Sequence, residues 1–124
     1  MRKLKNLVTG LVMLLTTAAL QAGTATIEWD YDFASNPDVA SFKIYGAAGT
    51  NTVFTANNGN ATRVVTVNRT GTGTVVDITG DVTNISGAWT FVVVAVSNTG
   101  VNSPNSQSVW GNVKPGAPIN LRIQ

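Results

Sequence analysis

The run Trp89-Thr90-Phe91-Val92-Val93-Val94-Ala95-Val96 constrains this chain most. β-Branched and aromatic residues favour a pleated, packed strand. At a period of two, Trp89, Phe91, Val93 and Ala95 point one way, and Val92, Val94 and Val96 the other. The first set suits the core of a sandwich. A sheet with one face in water would carry polar residues at the second set. The apolar surplus implies an outer surface that something covers, and it favours binding over catalysis.

The remaining pattern is also β. Ile27, Trp29, Tyr31 and Phe33 alternate with Glu28, Asp30 and Asp32, as in a half-buried antiparallel strand. Val39, Phe42 and Ile44 carry the next strand, ended by Gly46-Ala47-Ala48-Gly49. Residues 52–55 and 63–68 flank Asn57-Asn58-Gly59-Asn60, whose Asn-Gly pair predicts a hairpin. Thr70-Gly71-Thr72-Gly73 precedes a strand over 75–79, and 106–113 carry the last long one. Turns at intervals of roughly eight to twelve residues are the rhythm of a sandwich or small barrel. The expected fold class is all-β.

The first residues read as an export signal. Arg2, Lys3 and Lys5 precede an apolar stretch over 7–20, and Ala22 is the preferred last residue removed, with Ala25 the alternative. The apolar stretch, about 14 residues, falls short of the roughly 20 that span a bilayer. No cysteine is present to carry a lipid or form a disulfide. The expected organisation is a signal peptide helix over 1–22, one domain over 23–113, and a Pro/Gly linker with a strand-like tail over 114–124. The expected product is secreted, extracellular or periplasmic, without stable membrane insertion. The whole chain carries a formal charge of +2, but three of its eight basic residues lie in the signal. Lys43, Arg63, Arg69, Lys114 and Arg122 then face six acids, and no basic patch remains to bind nucleic acid.

Catalytic chemistry is sparse. Without His or Cys, the commonest general base, metal ligand and thiol nucleophile are missing. Gly71 and Gly73 sit in a turn without a following helix, so they do not make a phosphate loop. Asp30, Asp32 and Asp38 are oxygen donors of the type Ca²⁺ takes, but their spacing matches no known loop. No enzyme activity, cofactor or metal is expected.

The ordered series Ile27-x-Trp29, Pro37-Asp38-Val39-x-x-Phe42-x-Ile44, Trp89-x-Phe91-x-Val93-x-Ala95-x-Ser97-x-x-Gly100 and Ser103-Pro104-x-Ser106-x-x-Val109 resembles the fibronectin type III domain. The resemblance covers about residues 25–113 and implies an antiparallel immunoglobulin-like β-sandwich. It makes Trp29 the core tryptophan of the second family strand. It puts Trp89 where the family has a tyrosine whose hydroxyl pins a corner, so an indole N–H stands in for an O–H. The loop over 97–104 lacks an Arg-Gly-Asp adhesion motif. The resemblance also leaves no room for the family's first strand after a cut at Ala22.

Two surfaces are then candidates. Tyr45, Val92, Val94 and Trp110 are expected to share the outer sheet face as one apolar partner-binding patch, unless Val53 and Phe54 fold over it. The tail carries Ile119, Leu121 and Ile123 in alternation with Asn120 and Arg122. It either serves no structural role, covers its own open sheet edge, or donates a strand to a neighbour. The expected function is a secreted, non-enzymatic binding or scaffold module at a cell surface. Its partner is a protein or a glycan at a cell or virion surface, and self-association is a further possibility. A carbohydrate-binding module using Trp110 and Tyr45, or a phage virion decoration protein, are the alternatives.

Overall fold

The computed structural model describes residues 22–123, so the signal expected at the start of the chain lies, apart from Ala22, outside the described residues. Six strands follow in order: β1 (Gly23–Tyr31), β2 (Val39–Ala48), β3 (Arg63–Asn68), β4 (Val76–Ile85), β5 (Gly87–Ser97) and β6 (Val109–Val113). Every pairing between them is antiparallel. They form a two-stranded sheet, β1–β4, and a four-stranded sheet ordered β3–β2–β5–β6. The molecule is an all-β sandwich. Among the described residues no helix is long and apolar enough to cross a membrane.

Alternation decides which side of each strand is buried. Phe42 and Ile44 from β2, Ile78, Val82 and Ile85 from β4, and Trp89, Phe91, Val93 and Ala95 from β5 meet in one cluster between the sheets. Ala25, Ile27, Trp29 and Tyr31 of β1 pack against it. Trp29, Tyr31 and Phe33 surround Phe42, with ring centroids 5.0–5.8 Å from it and edge-on angles. Gly80 of β4 marks where the sheets come closest. A Cβ there would lie 2.6 Å from both Ile44 Cδ1 and Val67 Cγ2.

The crossing from β4 to β5 is tight, and Trp89 pins it. Its indole Nε1 donates to the Ser86 carbonyl at 3.0 Å, while Arg63 lies 5.7 Å over the ring. The indole thus holds the corner with a bond of its own. On the opposite end, Arg69 donates to the carbonyls of Pro37, Val39 and Gly71 at 2.8, 3.1 and 2.7 Å. Its guanidinium sits 4.3 Å from the Phe33 ring centre. One side chain ties residues 37–39, at the start of β2, to the loop at Gly71.

Two expected elements differ. Residues 52–55 form no strand, and β3 pairs with β2 directly. The Asn-Gly pair therefore turns no hairpin. Asn57 and Asn58 take the left-handed backbone, φ 56° each, inside a short 3₁₀ turn (Ala56–Asn58), while Gly59 stays right-handed. The last strand is also shorter than 106–113. Ahead of it, the Ser103 and Ser106 hydroxyls accept from the N–H groups of Ala95 and Val93, both at 2.9 Å, where a strand would offer carbonyls.

Candidate functional site

The outer face of the larger sheet comes first, because the sequence points there. Register confirms the shared face: Tyr45 lies opposite Val92, Lys43 opposite Val94, and Trp110 opposite Thr90. The open patch is not there. Val92 and Val94 are only 4% and 2% exposed. The covering segment is 49–60, and Thr90, fully buried, anchors it. Its hydroxyl donates to the Gly49 carbonyl at 2.8 Å and accepts from the Thr52 N–H at 3.0 Å. Phe54 is half-buried beside Tyr45 and Val94, whereas Val53 points to solvent. Asn58 and Asn105 close the cover by exchanging amide hydrogen bonds of 3.0 and 2.8 Å. Tyr45 remains half-buried and Trp110 is 45% exposed. The apolar surplus of β5 is thus met within the chain.

The unfinished part of the molecule is the edge of the smaller sheet. Among the described residues β1 pairs with β4 alone. Its other side presents a row of main-chain N–H and C=O groups along nine residues. No Pro or Lys blunts that edge. Beside it run two hollows. One, about 250 Å³, is bounded by Trp29, Tyr31, Phe42, Val93, Ala95 and Pro104 among others. The second, about 410 Å³, lies between residues 24–27 of β1 and residues 109–114. Together they follow β1 from end to end and reach core side chains, Phe42, Phe91, Val93 and Ala95, from the side. Val109 and Trp110 border the second hollow and are both largely exposed.

The start of β1 touches the end of β6. A Cβ on Gly23 would run into the main-chain carbonyl of Lys114, so only glycine allows this approach. The two strands therefore run in opposite directions, with the cleft between them.

Electrostatics set this sheet apart. On its outer face Asp30 lies directly opposite Asp77, and Thr26 opposite Asp81; Glu28 stands between them, and all four carboxylates are exposed. Opposed like charges destabilise a sheet. Thr26 Oγ1 relieves one by donating to Asp81 at 2.7 Å. Arg63 and Arg69 spend their donors on backbone carbonyls elsewhere. Among the described residues, no three acidic groups gather as metal ligands. Asp32 instead accepts from the Ser35 N–H and hydroxyl at 3.0 and 2.8 Å, which holds its carboxyl below the usual range. Burial, with Asp38 and Asp32 nearby, raises the Tyr31 phenol.

Ile119, Leu121 and Ile123 lie on an irregular segment, bent at Asn120 (φ 57°), that pairs with no strand among the described residues. They are 40%, 95% and 99% exposed. Sequence reasoning anticipated the open edge but not its floor. Ile27, Trp29, Tyr31 and Val109 read simply as core positions, because alternation shows which side is inward without showing what closes it. The Trp29 Nε1 is buried without a hydrogen-bond acceptor, a cost no pattern of residues signals. Comparison with protein-family models, with curated proteins and with solved structures finds no match to this chain.

Proposed function

We propose that this chain is a secreted, non-enzymatic binding and scaffold module of the fibronectin type III kind. It works by seating an extended polypeptide segment along the open edge of β1. The sheet order, β3–β2–β5–β6 over β1–β4, supports the family reading. The observation that carries the binding reading is the nine-residue edge of β1 beside an apolar cleft. Added strands gain affinity from main-chain bonds and specificity from pockets for alternate side chains, and this edge offers both. A module of this type suits a bacterial envelope or a phage particle, where low charge and an all-β core serve as structural material.

Hydrogen exchange tests this directly. In the monomer, the β1 amides that point away from β4 are expected to exchange fast. Peptides of alternating apolar and polar residues, selected for binding, are expected to slow them. Slow exchange of those amides in the free monomer would overturn the reading.

A glycan-binding reading has one observation in its favour. Tyr45, Phe54, Asn57, Asn58, Asn102 and Asn105 surround a hollow of about 310 Å³, an aromatic ring beside amide donors. Two of those amides already satisfy each other, which makes this the weaker reading. Binding on a glycan array that Tyr45→Ala abolishes would favour it.

A further inference from the structure

We infer that the segment seated on β1 is residues 117–123 of a second copy of this chain, so that copies join head to tail. The inference rests on the strand-accepting reading above and names its partner.

The donor is on the page. Residues 119–123 alternate apolar with polar and leave Leu121 and Ile123 almost fully in water; in the free chain they bend at Asn120, φ 57°, and seating as a strand straightens that bend. Seven residues reach about 23 Å as a strand, within the roughly 30 Å of β1.

Direction excludes an antiparallel seat in the chain's own slot. Residue 114 emerges beside Gly23, at the start of β1. A strand antiparallel to β1 must enter at its other end, beside Tyr31. Reaching that point takes about 30 Å of chain, and only residues 115–118 stand between Lys114 and Ile119. A copy placed beyond the Gly23 end, in contrast, presents its Tyr31 end to the departing chain. Continuing onward, the segment runs antiparallel along that copy's β1.

Charge and side-chain parity agree on one register. With Ile119 opposite Tyr31, Leu121 falls opposite Trp29 and Ile123 opposite Ile27, all facing the cleft. Arg122 then stands opposite Glu28, on the sheet face that also carries Asp30, Asp77 and Asp81. A cation meets an acidic face that the domain itself leaves without an arginine. Donor and acceptor surfaces differ and the tail runs on away from its own domain, so successive copies are related by translation and the contact repeats head to tail.

Light scattering on the purified protein across concentration is the first test. Mass is expected to grow beyond the dimer as concentration rises. Leu121→Glu, which changes only an exposed donor residue, is expected to remain monomeric. Ile27→Lys, in the acceptor slot opposite Ile123, is expected to do the same, and a mixture of the two is expected to stop at a 1:1 dimer, since one intact donor and one intact slot remain. Because a slot variant can fail to fold, a second measurement uses exposed positions. The chain has no cysteine, so Asn120→Cys in one copy and Asp30→Cys in another report only on each other. Directly opposed residues in an antiparallel pair lie within disulfide range. Oxidation is expected to link this pair and to leave Asn120→Cys with Asp77→Cys, one strand further away, unlinked.

A protein that stays monomeric, with no Asn120–Asp30 link, overturns the inference. If its β1 amides then still exchange fast and gain protection from a selected peptide, strand acceptance stands and the partner is a different polypeptide. If those amides are protected in the monomer, strand acceptance falls with it.

Discussion

Single side chains hold the ends of this sandwich, and Arg69 does so with the most bonds. Two of its three carbonyl acceptors lie at the entry to β2 and the third in the loop after β3. Hydrogen bonds from a charged donor each contribute about 1.5–3 kcal/mol, and exposure of part of the side chain reduces their sum. Arg69→Ala is expected to lower unfolding stability by about 2–3 kcal/mol in urea titration. Arg69→Lys is expected to recover less than half, because an ammonium neither forks across three acceptors nor stacks flat on Phe33. Asp32 acts through pH. Its two bonds from Ser35 favour the ionised carboxyl. A folded pKa below the unfolded value means that the stabilisation is complete above the ordinary aspartate pKa. It is lost as pH falls through the folded value. Melting curves from neutral pH down to about pH 2 are expected to fall more steeply for the natural chain than for Asp32→Asn.

At the scale of the element, β5 shows what alternation can and cannot say. The assignment of Trp89, Phe91, Val93 and Ala95 to the core, and of Val92 and Val94 to the other face, follows from period two alone and holds in the structure. The cover over the second face was not legible in the same way. Segment 49–60 carries no periodicity; it is placed by Thr90, Thr52 and the Asn58–Asn105 exchange, which are polar contacts between residues far apart in sequence. The Asn-Gly pair misled for a related reason. Asn tolerates left-handed backbone better than most residues that carry a Cβ, and here Asn57 and Asn58 take the turn positions. The cleft beside β1 depends on how far apart two sheets settle, which alternation does not encode. These placements separate two substitutions on one face. Val94→Thr keeps the shape but buries a hydroxyl, and is expected to cost about 1–3 kcal/mol by calorimetry or urea titration. Trp110→Ala, at a site nearly half in water, is expected to cost less than Val94→Thr. The reverse order would mean that Trp110, and not the valine pair, is the packed anchor of the outer face.

For the whole molecule, the question is which force joins one copy to the next. Arg122 opposite Glu28 is an exposed ion pair, a contact that contributes about 0.2–1 kcal/mol and weakens with salt. Ile119, Leu121 and Ile123 each contribute about 1.5–3 kcal/mol when fully buried, and the ladder bonds about 0.5–1.5 kcal/mol apiece. Against these stands an association cost of about 4–15 kcal/mol. The apolar face and the ladder decide whether copies bind, and the ion pair chooses the register. Salt at about 0.5 M shortens the Debye length to under 5 Å, yet it is expected to leave the mass distribution nearly unchanged. Leu121→Glu, at low salt, is expected to collapse that distribution to the monomer. Deleting 117–123 is expected to remove assembly as well. At dilutions where the natural chain is monomeric, it is expected to change stability by less than about 0.5 kcal/mol, since Leu121 and Ile123 are almost fully exposed within their own copy and only Ile119 is partly covered. Dissociation by salt alone would identify the contact as ionic and move the partner surface from the cleft to the acidic face of β1 and β4.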